Sequence, residues 1–139
     1  MVKHCETLDH TADVGLLARA DTLDELFEAL AEGLCDVICL RGSVAPARRR
    51  KVAVDAEDTE ALAVDFLNEV LWQLQTEHFA VASVEVRQIS ETAVAAELAG
   101  EPFDPKRHET RTEVKAVTYH ELKVAREGDG WIGRVILDL

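Results

Sequence analysis

Leu23, Leu26, Phe27, Leu30, Leu34, Val37 and Ile38 recur at three-and-four spacing, with Asp24, Glu28 and Glu32 falling on the other side. A stripe of this kind commits the segment to an amphipathic helix that must lay one face on an apolar surface. Its start is also written in the chain. Thr22-Leu23-Asp24-Glu25 has the form of a capping box, in which the Thr22 hydroxyl accepts at the helix start and Glu25 reaches back. A second segment runs through Leu62, Phe66, Leu67, Val70, Leu71 and Leu74, again with one apolar face. The acidic Asp55-Ala56-Glu57-Asp58 before it suits the positive end of a helix dipole.

The surface on which these helices rest must come from the strands. His4 to Leu8 and Val14 to Ala20 read as strands joined by a polar turn, and Val52 to Val54 as a short alternating strand. Ala80 to Ile89 and Thr92 to Ala99 alternate on either side of Ser90-Glu91, the pattern of a hairpin. Gly100 to Arg111, with Pro102 and Pro105, interrupts regular structure before Glu113 to Tyr119 resumes an extended pattern. His120 to Arg126 and Trp131 to Leu137 then flank Glu127-Gly128-Asp129-Gly130, a tight antiparallel turn. Arg41 to Lys51, with its basic run Arg48-Arg49-Arg50-Lys51, reads as a solvated connector. Two amphipathic helices among about seven or eight short strands predict an α+β fold, the helices packed on a largely antiparallel or mixed β-sheet. No linker divides residues 1–139, and a chain of this length is expected to bury roughly 68% of its unfolded surface as a single domain.

Several function classes drop out. A net charge of −12 opposes independent binding to a nucleic-acid backbone, which requires neutralisation by Lys and Arg, and is compatible with a cation, a basic protein partner or nothing more than solubility. No apolar run approaches the ~20 residues of a membrane span, and the N-terminus lacks the apolar stretch of a signal peptide. A cytoplasmic protein is the expectation. The three cysteines, with Cys35 and Cys39 four apart on the first helix, read as buried thiols in a reducing compartment; zinc held by them with Cys5 or His4 is the weaker alternative. There is no glycine-rich phosphate loop, G-x-S-x-G elbow, His-Glu-x-x-His or paired C-x-x-C. His10, His108 and His120 could meet Asp9, Asp13 or Asp104 for acid and base work, although scattered histidines are usually surface or hydrogen-bonded residues.

The stretch that resists a purely structural reading is Leu8-Asp9-His10-Thr11-Ala12-Asp13-Val14-Gly15, where two carboxylates and a histidine occupy one short turn. With Asp138 and Leu139 at the other end, Asp9 and Asp13 offer hard oxygen ligands of the kind calcium or magnesium prefers, if the fold brings them together. Two carboxylates ~4 Å apart repel by about 4 kcal/mol at an effective dielectric near 20, a cost that a divalent cation removes. Otherwise Asp9 or Asp13 caps a turn and Asp138 is a frayed terminal residue.

Four blocks in order, Asp9-His10-Thr11-Ala12-Asp13-Val14-Gly15, the Thr22-Leu23-Asp24-Glu25-Leu26-Phe27 helix start, Glu113-Val114-Lys115-Ala116-Val117-Thr118-Tyr119-His120 and the closing Ile136-Leu137-Asp138-Leu139, resemble the archease family. Gly100-Glu101-Pro102-Phe103-Asp104 followed by Lys106-Arg107-His108 resembles that family's polar stretch before the Lys115 block. The resemblance implies a non-catalytic activator of the RNA-splicing ligase RtcB, promoting GTP-dependent guanylylation of the ligase histidine and repeated turnover in tRNA splicing and RNA repair. It implies that Asp13 and Asp138 bind a divalent metal, calcium ahead of magnesium or manganese, and that Leu139 adds an oxygen. Lys115 belongs to a motif linked to ligase activation, with Asp9 and His10 as supporting residues. A small metal-dependent phosphoester hydrolase using His10 with Asp13 and Asp138 is one rival reading, and a chaperone-like protein-binding module is another.

Overall fold

The computed structural model describes residues 3–9 and 13–139, apart from the side chains of residues 8 and 9. Its strands are β1 (Lys3–Asp9), β2 (Asp13–Ala20), β3 (Arg48–Asp55), β4 (Phe79–Ile89), β5 (Ala93–Pro102), β6 (Ala116–Glu127) and β7 (Gly130–Asp138), with helices α1 (Leu23–Ile38) and α2 (Thr59–Gln75). Both helices start where the sequence places them. Extended Thr22 accepts the Glu25 N–H at 3.4 Å and donates its hydroxyl to Glu25 Oε1 at 2.6 Å. Asp58 accepts the Ala61 N–H at 2.8 Å. In each case a side-chain oxygen meets an amide that the first helical turn leaves without a partner.

The α+β class is as expected, and the described strands divide into two antiparallel sheets, of order β1-β2-β7-β6 and β3-β5-β4. The division follows from the width of the apolar stripes. α1 buries Leu26, Leu30 and Leu34 but also Ala31, Cys35 and Ile38, so it packs against β1, β2 and β7 of one sheet and β4 of the other. α2 likewise packs against β3, β4 and β5 and against β6. The helices touch through Phe27 and Phe66, whose ring centroids lie 5.6 Å apart. One core therefore runs through both sheets. At Gly100 the β5 backbone passes so close to the Ala80 carbonyl of β4 that a Cβ has no room.

The polar faces of the helices do more than meet solvent. On α1, Glu28 and Glu32 accept the Val86 and Val84 N–H groups of β4 at 2.8 and 3.1 Å, and Lys3 reaches both carboxylates. On α2, Asn68 exchanges two hydrogen bonds with the Val117 main chain, and Gln75 does the same with Val114. Edge strands that would otherwise present open main-chain groups are closed in this way.

The basic run departs from expectation. Arg48, Arg49, Arg50 and Lys51 are strand residues of β3, not a solvated connector. Arg49 pairs with Glu97 at 3.1 Å, while Arg50 donates to Gln73 at 3.0 Å and lies over the Phe79 ring at 4.7 Å. Long aliphatic stems allow arginines to flank a sheet with their charged ends outward, which apolar alternation does not reveal. The two extended patterns around His120 also merge into β6, whose pairing with β7 shifts between Thr118 and Lys123.

Candidate functional site

Asp13 is the first residue of β2 and Asp138 the last of β7, and the two are direct partners in the antiparallel register. Side chains of such partners lie on the same face of the sheet with Cβ atoms ~4.5–5.5 Å apart, and like charges at these positions are unfavourable. Asp138 also lies opposite Ala116 of β6, and its carbonyl accepts the Lys115 N–H at 2.7 Å. Asp13, Asp138 and Lys115 thus share one end of the β1-β2-β7-β6 sheet. Asp138 and Lys115 are exposed, and Asp13 and Leu139 are half-buried. Asp9 closes β1 opposite Val14, beside the Asp13 end, and its side chain lies outside the described residues, as does all of His10.

The segment that delivers Lys115 is fixed along its length. Buried Glu101, at the end of β5, receives both Arg107 guanidinium nitrogens at 2.9 and 2.8 Å and the Ala45 N–H at 2.8 Å. His108 Nδ1 accepts the Asp104 N–H, so the neutral ring carries its proton on Nε2 and donates it to Glu101 at 2.9 Å. The Ala45 amide first, with His108 and Arg107, holds the Glu101 carboxyl down at about 2. Further on, the Arg111 N–H donates to the Ile38 carbonyl at the open end of α1. Gln75, in the last turn of α2, then clamps Val114, and Asn68 clamps Val117. Lys115 sits between these two amide clamps, beside a hollow of about 220 Å³ that Trp72, Gln75 and Thr76 also line.

The residue types suit a hard cation, because the register sets the Asp13 and Asp138 carboxylates at paired positions, with Leu139 next in the chain. No cluster of three or more His, Cys, Asp or Glu side chains arranged for a metal occurs among the described residues. A divalent ion here would rest on two carboxylates and main-chain oxygen. The thiols are placed differently. Cys35 and Cys39 are buried, and burial pushes Cys5 up to about 12, which keeps it protonated and a poor metal ligand. Of the other histidines considered, His108 is taken up by Glu101 and the Asp104 main chain, and His120 is exposed beside Glu121.

Glu101, Asn68 and Gln75 are the supporting residues that the sequence reading missed. The Glu101 stretch carried only its family resemblance, and a side-chain amide on the polar stripe of a helix leaves no periodic signal that it clamps a strand edge.

Fold and site together describe a small α+β protein with two helix-bridged sheets and an acidic strand pair beside a lysine. The sequence profile of the Archease protein family (MTH1598/TM1083) matches residues 5–139. Protein archease of Thermococcus kodakarensis is 40% identical over 96% of this chain and 97% of its own length, and that of Methanosarcina acetivorans is 36% identical over 99% and 97%. The solution structure of Methanobacterium thermoautotrophicum protein 1598 superposes with a TM-score of 0.82 at 32% identity, covering 97% of this chain and 98% of that one. The crystal structure of an archease, possible chaperone, from Thermotoga maritima shares the fold at a TM-score of 0.69 and 21% identity, with 96% of each chain covered. The chain belongs to the archease family.

Proposed function

We propose that this protein is a non-catalytic activator of an RNA-splicing ligase of the RtcB type, acting from the end of the sheet where Asp13, Asp138 and Lys115 meet. The observation that carries the reading is the register pairing of Asp13 with Asp138, with Lys115 bonded to the Asp138 main chain. Asp13 and Asp138 would hold a divalent cation, calcium before magnesium or manganese, with Leu139 contributing an oxygen. Such an ion supplies concentrated positive charge at the end of an otherwise strongly acidic molecule.

The chain's own residues do the rest. The amide clamps of Gln75 and Asn68 and the Asp138 carbonyl fix the Lys115 main chain at the end of the sheet that carries Asp13 and Asp138. There its ammonium would neutralise a phosphate or pair with a carboxylate of the ligase, favouring guanylylation of the ligase histidine by GTP and renewed turnover. Asp9 and His10, close to Asp13 in sequence, would support this contact. The net charge of −12 fits a protein that acts on the enzyme and leaves the RNA to it.

Multiple-turnover ligation of RNA ends, with and without this protein, tests the reading. Acceleration only in the presence of both ligase and this chain is the expected result. Phosphoester hydrolysis by the chain alone would move the reading to a hydrolase, and suppression of aggregation of unrelated clients without effect on ligation would move it to a chaperone-like module.

A further inference from the structure

Among the described residues the large apolar side chains left exposed are Leu40, Trp72 and Tyr119, and the two aromatics belong to neighbouring elements, α2 and β6. Trp72 is 47% exposed and shares a hollow of about 390 Å³ with Asp65, Asn68 and Glu69. Partial desolvation first, with the field of Asp65, Asp58 and Glu57, pushes the Tyr119 phenol up. The result is an open aromatic and acidic face along the outer side of α2.

The rest of the molecule shows what such a face accepts. Arg50 lies over the Phe79 ring while pairing with Glu77, and Arg126 lies over Trp131 at 5.2 Å. Glu97 holds Arg49 and Arg87, and Glu101 holds Arg107. Around Trp72 the aromatic ring and the carboxylates of Asp65 and Glu69 are in place, but no arginine or lysine lies over the ring or pairs with either carboxylate among the described residues. Strand addition to β6 is closed at two points, because Val117 is bonded to Asn68 and the Val124 N–H donates to Glu60. An occupant must therefore be read through its side chains.

We infer that the outer face of α2, centred on Trp72, Asp65 and Glu69, is a docking surface for an arginine-bearing extended segment of a partner protein. A guanidinium stacks on the indole and is paired by the flanking carboxylates, the arrangement that makes arginine effective at interfaces. Lys115, lining the adjoining hollow, sets the limit of the surface by repelling basic residues at that end. This goes beyond the ligase reading and does not depend on the roles of Asp13 and Asp138.

The probe is a fluorescein-labelled octapeptide of alternating arginine and glycine, titrated with the full chain at 0.15 M salt, alongside the same peptide with citrulline in place of arginine. Trp72→Ala and the pair Asp65→Asn with Glu69→Gln should each weaken binding about three-fold or more, and Trp72→Phe should retain it within about two-fold. The remote pair Glu91→Gln with Asp129→Asn removes the same charge and should also stay within about two-fold. Equal losses from the remote pair would reduce the effect to diffuse attraction by an acidic molecule and overturn the proposal. Equal binding of the citrulline peptide would make the face an apolar contact and overturn it as well, as would full binding by Trp72→Ala.

Discussion

Asp13, at the start of β2, and Asp138, at the end of β7, stand opposite each other in the register, where like charges are unfavourable. In calcium-free buffer, Asp138→Asn should therefore stabilise the fold by up to ~1 kcal/mol in thermal or urea denaturation. At calcium a hundred-fold above its Kd, the wild type should gain about 2.7 kcal/mol, and the variant should lose most of that gain. A second residue-scale prediction concerns Glu101. Its folded pKa of about 2 lies below the ordinary value of 4.5, so its stabilising contribution is complete above about 4.5 and is lost as pH falls through about 2. Acid denaturation followed by circular dichroism should show this loss in the wild type, and Glu101→Gln should flatten the profile across that window. Neither site was fully legible beforehand. The acidic turn advertised Asp13, but pairing with Asp138 is a long-range fact that depends on β7 lying beside β2. Glu101 looked like one more polar residue in a proline-containing stretch, and its burial follows from Arg107, His108 and Ala45 converging on it.

At the scale of elements, helix starts and the two hairpins were readable because their signals are local: a capping threonine, an acidic N-cap, a turn rich in glycine. The division into two sheets was not, because it depends on both helices burying more than one side. The clearest case is the polar stripe of each helix. Glu28 and Glu32, placed by their spacing on the side away from the apolar stripe, close the edge of β4, and burial pushes the Glu28 carboxyl up. Asn68 and Gln75 close β6 and the segment before it. Gln75→Ala and Asn68→Ala should each cost about 1–3 kcal/mol in urea denaturation, since each leaves a main-chain donor and acceptor without partners. Gln75→Glu keeps an acceptor for the Val114 N–H but loses the donor to its carbonyl, and should fall between wild type and alanine. Native-state hydrogen exchange should locate the effect, with the Val114 amide accelerated in Gln75→Ala and the Val117 amide in Asn68→Ala.

For the whole molecule, one core joins two sheets and two helices, and the start of β2, the end of β7, the start of β6 and the end of α2 converge on one region. Of the molecule's 27 acidic side chains some are matched internally, where Glu97, Glu101 and Asp36 hold arginines, and a net charge of −12 remains. The end bearing Asp13 and Asp138 and the outer face of α2 both carry carboxylates, and Lys115 lies between them. Among the described residues no helix is long and apolar enough to cross a membrane. The most direct test of the account is GTP-dependent guanylylation of the purified RtcB-type ligase, measured with wild-type protein and with well-folded Asp13→Ala, Asp138→Ala and Lys115→Ala variants. The account predicts strong stimulation by the wild type and a loss of at least about ten-fold with each variant, equivalent to about 1.4 kcal/mol. Undiminished stimulation by all three would contradict it.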